Sequence, residues 1–134
     1  MAAPFKLDPA FHANCFVLGR LQLSHLLLMN NAALPWFVLV PETSEVELCD
    51  LEEPVHTRLF DEVRAVSKFL RQQFPVDKLN IASIGNVTAQ MHVHVIGRRR
   101  DDYCWPDTAW GLQPPASYSD DQVGGIADLV SAAP

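Results

Sequence analysis

Residues 90–96, Gln90-Met91-His92-Val93-His94-Val95-Ile96, set two histidines and an amide at alternate positions of an otherwise apolar run. In an extended strand side chains alternate between faces, so Gln90, His92 and His94 fall on one face and Met91, Val93 and Val95 on the other. The apolar set suits packing against a helix. The polar set gathers nitrogen donors and acceptors that a solvated cleft or a ligand would satisfy. An imidazole is neutral near pH 7 and nucleophilic, and a covalent intermediate on it divides one difficult displacement into two easier ones. A second imidazole beside it can donate to oxygens that gain charge in the transition state. Just upstream, Gly85-Asn86-Val87-Thr88 is a glycine turn whose amides and polar side chains could cradle a phosphate. Nucleophile, charge stabiliser and cradle within ten residues point to phosphoryl chemistry.

The same pair of histidines also fits a zinc or iron site, but such a site needs a third or fourth ligand. The remaining histidines are His12, His25 and His56. His56 falls on an expected helix that should cover the opposite, apolar face. His25 sits in an apolar strand and reads as structural, and His12 carries no signal. On these residues alone a metal site and a nucleophile stand about level.

Several elements must position this strand. Residues 14–20, 24–29 and 36–40 are short runs rich in aromatic and β-branched residues, bounded by turn formers, and predict three strands. Asp50 and Glu53 have capping-box spacing. Val55, Leu59, Val63, Val66 and Leu70 then recur every three or four residues, which predicts a long helix closed by Pro75 near Phe74. Arg58, Asp61, Glu62, Arg64, Lys68 and Arg71 lie between them and should face water. Residues 79–84 and about 89–96 predict a fourth and a fifth strand. Residues 101–134 form an irregular C-terminal extension holding Trp105 and Trp110; a weak last helix starts at Ser119 but is eroded by Gly124-Gly125. The expected fold is α+β: a five-stranded, mostly antiparallel sheet with one long helix on one face, in a single domain spanning 1–134.

Composition sets further bounds. The chain has 134 residues, is 49% hydrophobic and 19% charged, and can bury a core without staples. Its three cysteines, Cys15, Cys49 and Cys104, are scattered with no CxxC pair, so neither a disulfide framework nor a cysteine-rich zinc site is indicated. A net charge of −6 argues against a polynucleotide binder, which needs a broad basic face. The basic run Arg98-Arg99-Arg100 could serve one small phosphorylated ligand, but reads more simply as a solvated strand end. No apolar run is long enough to span a membrane and the N-terminus lacks a signal-peptide pattern, so a cytoplasmic location is expected.

The run 90–96 resembles the histidine-triad (HIT) motif, His-φ-His-φ-His-φ-φ with φ apolar, and the order of strands and helix over about residues 10–110 resembles the same superfamily. The resemblance implies a nucleotide hydrolase or nucleotidyl transferase, acting on a phosphoanhydride or phosphoramidate bond through a nucleotidyl-histidine, and a homodimer. By position it makes His92 the nucleophile and His94 a phosphate contact. Asn86 stands at a phosphate-binding position, with Gly85 and Thr88 beside it, and Asn80 lies near a further one. Asn30 or Asn31 lies near an acidic ribose-binding position. Trp105 and Trp110 fall in a tail that would cover the partner subunit's site, whereas Trp36 reads as packing. Gln90 replaces the first histidine of the motif; it can hydrogen-bond an imidazole but cannot take up a proton. That departure opens an alternative, a nucleotide-binding module with weakened catalysis. With this resemblance no metal or other cofactor is expected, and a metal-dependent enzyme using the His-x-His pair is the remaining, less favoured alternative.

Overall fold

The computed structural model describes residues 4–133. A short helix α1 (Pro9–Asn14) leads into strands β1 (Cys15–Arg20), β2 (Ser24–Met29) and β3 (Trp36–Pro41). A single 3-10 turn at Leu48–Asp50 precedes the long helix α2 (Glu53–Gln73), followed by β4 (Lys78–Ala82), β5 (Val93–Arg98) and α3 (Asp120–Ala132). The strands form one antiparallel sheet in the order β1-β2-β3-β5-β4, so β5 lies inside the sheet between β3 and β4.

The two faces of the sheet close differently. On one, Leu59, Val63, Val66 and Leu70 of α2 pack on Phe37, Leu39, Val93 and Val95, and Ile126 of α3 joins them. The apolar stripe read from the sequence is this contact. On the other face, Leu27, Trp36, Val38, Val40 and Ile96 are covered by Phe11 of α1 and by Cys104 and Ala109 of the C-terminal segment.

Several sequence expectations change. The first strand starts at Cys15, because Asn14 ends α1. That helix has a clear signal in Asp8-Pro9: the Asp8 carboxylate accepts from the Ala10 amide at 2.9 Å, and Pro9 occupies the first turn, where it loses no hydrogen bond. Asp50 makes no capping box; it lies in the 3-10 turn, and α2 begins after Glu52 with no side-chain cap. Glu62 does not face water. It is buried and accepts from the amides of Leu23 and Ser24 at 2.9 and 3.1 Å, so the helix holds the β1–β2 turn. The fifth strand begins at Val93 rather than near 89, which leaves Gln90 at a bend and His92 directly ahead of the strand. The C-terminal region is less irregular than expected. Ser119 and Gln122 form a reciprocal capping box, and Ile126 with Val123 and Val130 anchors α3 despite Gly124-Gly125.

Arg98 is not a solvated strand end. It is 1% exposed, and its guanidinium donates to both carboxylate oxygens of Asp102 at 2.7 and 3.0 Å. That ion pair holds the Asp102 carboxyl well below the usual carboxylate range, against the opposing effect of burial. The tail is thereby pinned to the end of β5. Arg99 pairs with Asp101, and the Arg100 amide donates to Asp77.

Candidate active site

The register of β3 and β5 sets Val38 opposite His94, with Trp36 two residues along the same face. From there the indole N–H of Trp36 donates to Nδ1 of His94 at 3.0 Å. An acceptor Nδ1 obliges a neutral His94 to carry its proton on Nε2, which makes that nitrogen a donor. Burial, and secondarily the charge of His92, push the His94 pKa down to about 4, so the ring is neutral at physiological pH.

His92 is held the opposite way round. Its Nδ1 lies 2.7 Å from the backbone carbonyl oxygen of Gln90, which can only accept. Nδ1 must therefore carry the proton, and Nε2 keeps the lone pair. The two ring centroids are 4.9 Å apart and nearly perpendicular. Adjacent imidazoles thus present one nucleophilic nitrogen and one donor. Expecting an open polar surface overstated their exposure: His92 is 7% and His94 6% exposed, because α1 and the tail cover this face. Phe11 meets His92 edge-on at 5.0 Å, and Trp110 meets His94 at 5.3 Å.

Cavities remain beside the rings. One of about 110 Å³ borders both histidines and is walled by Ala10, Phe11 and Asn14 from the α1 side and by Cys15, Met29 and Val38 from the sheet. Another, of about 170 Å³, lies between both histidines, the loop 84–88 and Trp110. A third, of about 340 Å³, borders His92 from the far side of that loop, against residues 46–49. Gly85 has φ of 73°, a left-handed conformation that lets the loop turn back toward the rings. Gly85, Asn86 and Thr88 are therefore brought to the histidines.

The HIT domain family model matches residues 10–101, the span that carries both histidines and all five strands. The chain belongs to the histidine triad (HIT) family. It is similar in structure to a histidine triad protein from Bradyrhizobium japonicum (34% identity, 96% of each chain covered, TM-score 0.90). A HIT protein from Sinorhizobium meliloti 1021 is similar at 30% identity over 97% of each chain, with a TM-score of 0.92. One from Marinobacter aquaeolei VT8 is similar at 35% identity over 94% of this chain and 93% of its own, with a TM-score of 0.89. No curated protein matches the chain. HIT proteins generally bind nucleotides and hydrolyse or transfer nucleotidyl groups, and they are typically dimeric. Among the described residues no helix is long and apolar enough to cross a membrane.

Other residues singled out from the HIT motif lie elsewhere or act otherwise. The Gln90 side chain does not bond the His92 ring: its oxygen accepts from the Asp8 amide and its nitrogen donates to the Lys6 carbonyl, both at 2.8 Å. Asn80 shares the histidine face of the sheet, but its amide oxygen accepts from Arg98 at 3.0 Å, toward Asp102. Asn30 accepts from the Tyr118 amide, and buried Asn31 donates to the Tyr103 hydroxyl, so both tie down the C-terminal segment. Trp110 packs on His94 of its own chain, and Trp105 faces the Arg98 guanidinium at 5.6 Å. His25 is structural, bonded to Glu42 and stacked on Phe5. Sequence reasoning missed the roles of Trp36 and Phe11. Neither had a local signal, because β3 and β5 are neighbours in the sheet without being consecutive in the chain.

Proposed function

We propose that this HIT protein cleaves nucleotide phosphoanhydride or phosphoramidate bonds through a covalent nucleotidyl-His92 intermediate, as a hydrolase or nucleotidyl transferase. One observation carries the reading: the opposite tautomers imposed on the two rings, His92 through the Gln90 carbonyl and His94 through the Trp36 indole.

In the first step Nε2 of His92 attacks the α-phosphorus. A P–N bond forms while the bond to the leaving oxygen or nitrogen breaks, and the leaving group departs with that electron pair. The ring becomes cationic, and its Nδ1–H···O bond to Gln90 strengthens as it does so. Nε2–H of His94 donates to a non-bridging oxygen as charge builds there, with Gly85, Asn86 and Thr88 supplying further donors. Water then attacks phosphorus and returns the electron pair to Nε2, releasing a nucleoside monophosphate; another nucleophile in place of water gives transfer. A phosphoanhydride leaving group departs as a stable anion. An amine must gain a proton, which a carboxamide at position 90 does not supply; a solvent water gives it up, and the hydroxide so formed serves as the nucleophile of the second step. Asn80, Asn30 and Asn31 have structural roles in this proposal, their amides being engaged in holding the fold. Homodimerisation belongs to it as well, supported by the half-exposed Ile81 on edge strand β4.

The test is to incubate the protein with adenosine and guanosine polyphosphates and 5′-phosphoramidates, quench, and look for an acid-labile nucleotidyl adduct on His92 by mass spectrometry. His92→Asn should abolish the adduct and lower turnover by a factor on the order of 10⁴, with the fold intact. Unchanged turnover in that variant rules the mechanism out. The Gln90 substitution also supports a second reading, in which nucleotide binds without being cut. Nucleotide then raises the melting temperature and no product forms.

A further inference from the structure

We infer that Gln90 is a positioning residue that couples the nucleophile to one wall of the nucleotide cavity, with its backbone serving His92 and its side chain serving the N-terminal arm. This rests on the proposed nucleotidyl chemistry at His92 and assigns a task to the residue that replaces the first histidine of the motif.

The path can be followed bond by bond. The Gln90 carbonyl accepts from Nδ1 of His92. The Gln90 side-chain amide bridges the arm, accepting from the Asp8 N–H and donating to the Lys6 C=O, across more than eighty residues of chain. In an extended segment, the C=O of one residue and the N–H two residues on point to the same side, and a primary amide matches that pair because it sets one acceptor and one donor side by side. Imidazole carries its two nitrogens on different edges and cannot bridge them in the same way. A carboxylate has acceptors only.

Asp8, held through its backbone, caps α1 with its side chain. Helix α1 then delivers Phe11 against the His92 ring and contributes Ala10, Phe11 and Asn14 to the cavity of about 110 Å³ beside both histidines. Phe5 stacked on His25 secures the arm further upstream, so losing the Gln90 bridge loosens residues 6–14 without detaching them. Gln90 therefore controls how well the α1 wall of that cavity is formed, while the chemical step stays with His92 and His94. Installing the motif's histidine by Gln90→His breaks the bridge and does not repair a defect.

The experiment compares wild type, Gln90→Met (same length, no hydrogen-bonding end), Gln90→Glu (acceptor retained, donor lost) and Gln90→His. Amide exchange at Asp8 should quicken about tenfold or more in Gln90→Met and Gln90→His and less in Gln90→Glu, with α2 amides unchanged. The His92 ring resonances, which feel the Phe11 ring current, should shift in the same order. For AMP binding and phosphoramidate turnover, Kd and KM should rise about tenfold while kcat changes less than threefold. Three results overturn the inference: arm exchange and His92 resonances that do not move, a loosened arm with Kd and KM unaltered, or a fall in kcat at constant KM. If wild type binds no AMP and forms no adduct, the proposed function fails, and the exchange and resonance data still decide whether Gln90 positions α1.

Discussion

The two faces of this sheet hold cores of similar character and are built by opposite means. On the α2 face, a helix with an apolar residue every three or four positions supplies most of the cover, joined by Ile126 of α3, and the sheet answers with Phe37, Leu39, Val93 and Val95. The histidine face is closed by two separate segments, residues 5–14 and 99–118, held down by a few polar contacts: two bonds between Gln90 and the arm, two between Arg98 and Asp102, and one between Asn30 and Tyr118. The helix-covered face keeps an apolar opening of about 140 Å³ among Leu26, Phe37, Val66 and Val130, with no histidine beside it. The cavities between the segments that cover the other face border both histidines.

This contrast can be broken at its polar fastenings. Arg98→Met leaves the buried Asp102 carboxylate without its cation and should cost about 3–5 kcal/mol, read by urea unfolding. Because Asp102 pins the tail that carries Trp110, the loss should come with impaired turnover. Leu59→Ala on the other face should cost about 2–5 kcal/mol and leave kcat unchanged in the folded fraction, since α2 does not touch the imidazoles. Equal kinetic damage from both variants would erase the distinction between the faces.

Acid should act on the histidine face first. Between an ordinary value of 6.5 and about 4, the unfolded chain protonates His94 and the folded chain does not. Stability is therefore full above about pH 6.5 and declines as pH falls toward 4, by about 3 kcal/mol. The Asp102 pair, with a depressed carboxyl pKa, is lost only at lower pH, below the unfolded value of 3.8. Denaturant melts at stepped pH should show the first window disappear in His94→Asn. The smallest effect is expected from Trp36→Phe. Loss of its N–H frees the His94 tautomer and should lower kcat about tenfold, for about 1 kcal/mol of stability.

The sequence made the α2 face readable because both its elements obey short periods. Val63 and Val66 announce a helix, and Met91, Val93 and Val95 announce the strand it covers. The histidines were readable for the same reason, as alternate positions on a strand, and Gly85-Asn86 as a turn beside them. Closure of the other face was not readable. Nothing local to Asp8 or Gln90 reveals that they meet, and an arginine run such as 98–100 looks solvated until its carboxylate is found four residues on. Glu62 misled for a related reason: a charged residue between apolar ones fits a wet helix face equally well, until a neighbouring turn offers two free amides.

One consequence follows from β5 lying inside the sheet. His94 is anchored on a strand hydrogen-bonded along both edges and His92 stands directly ahead of it, whereas Ala10, Phe11 and Asn14 come to the cavity from a short peripheral helix. Changes in that helix can therefore reshape the cavity wall while the two rings keep their places.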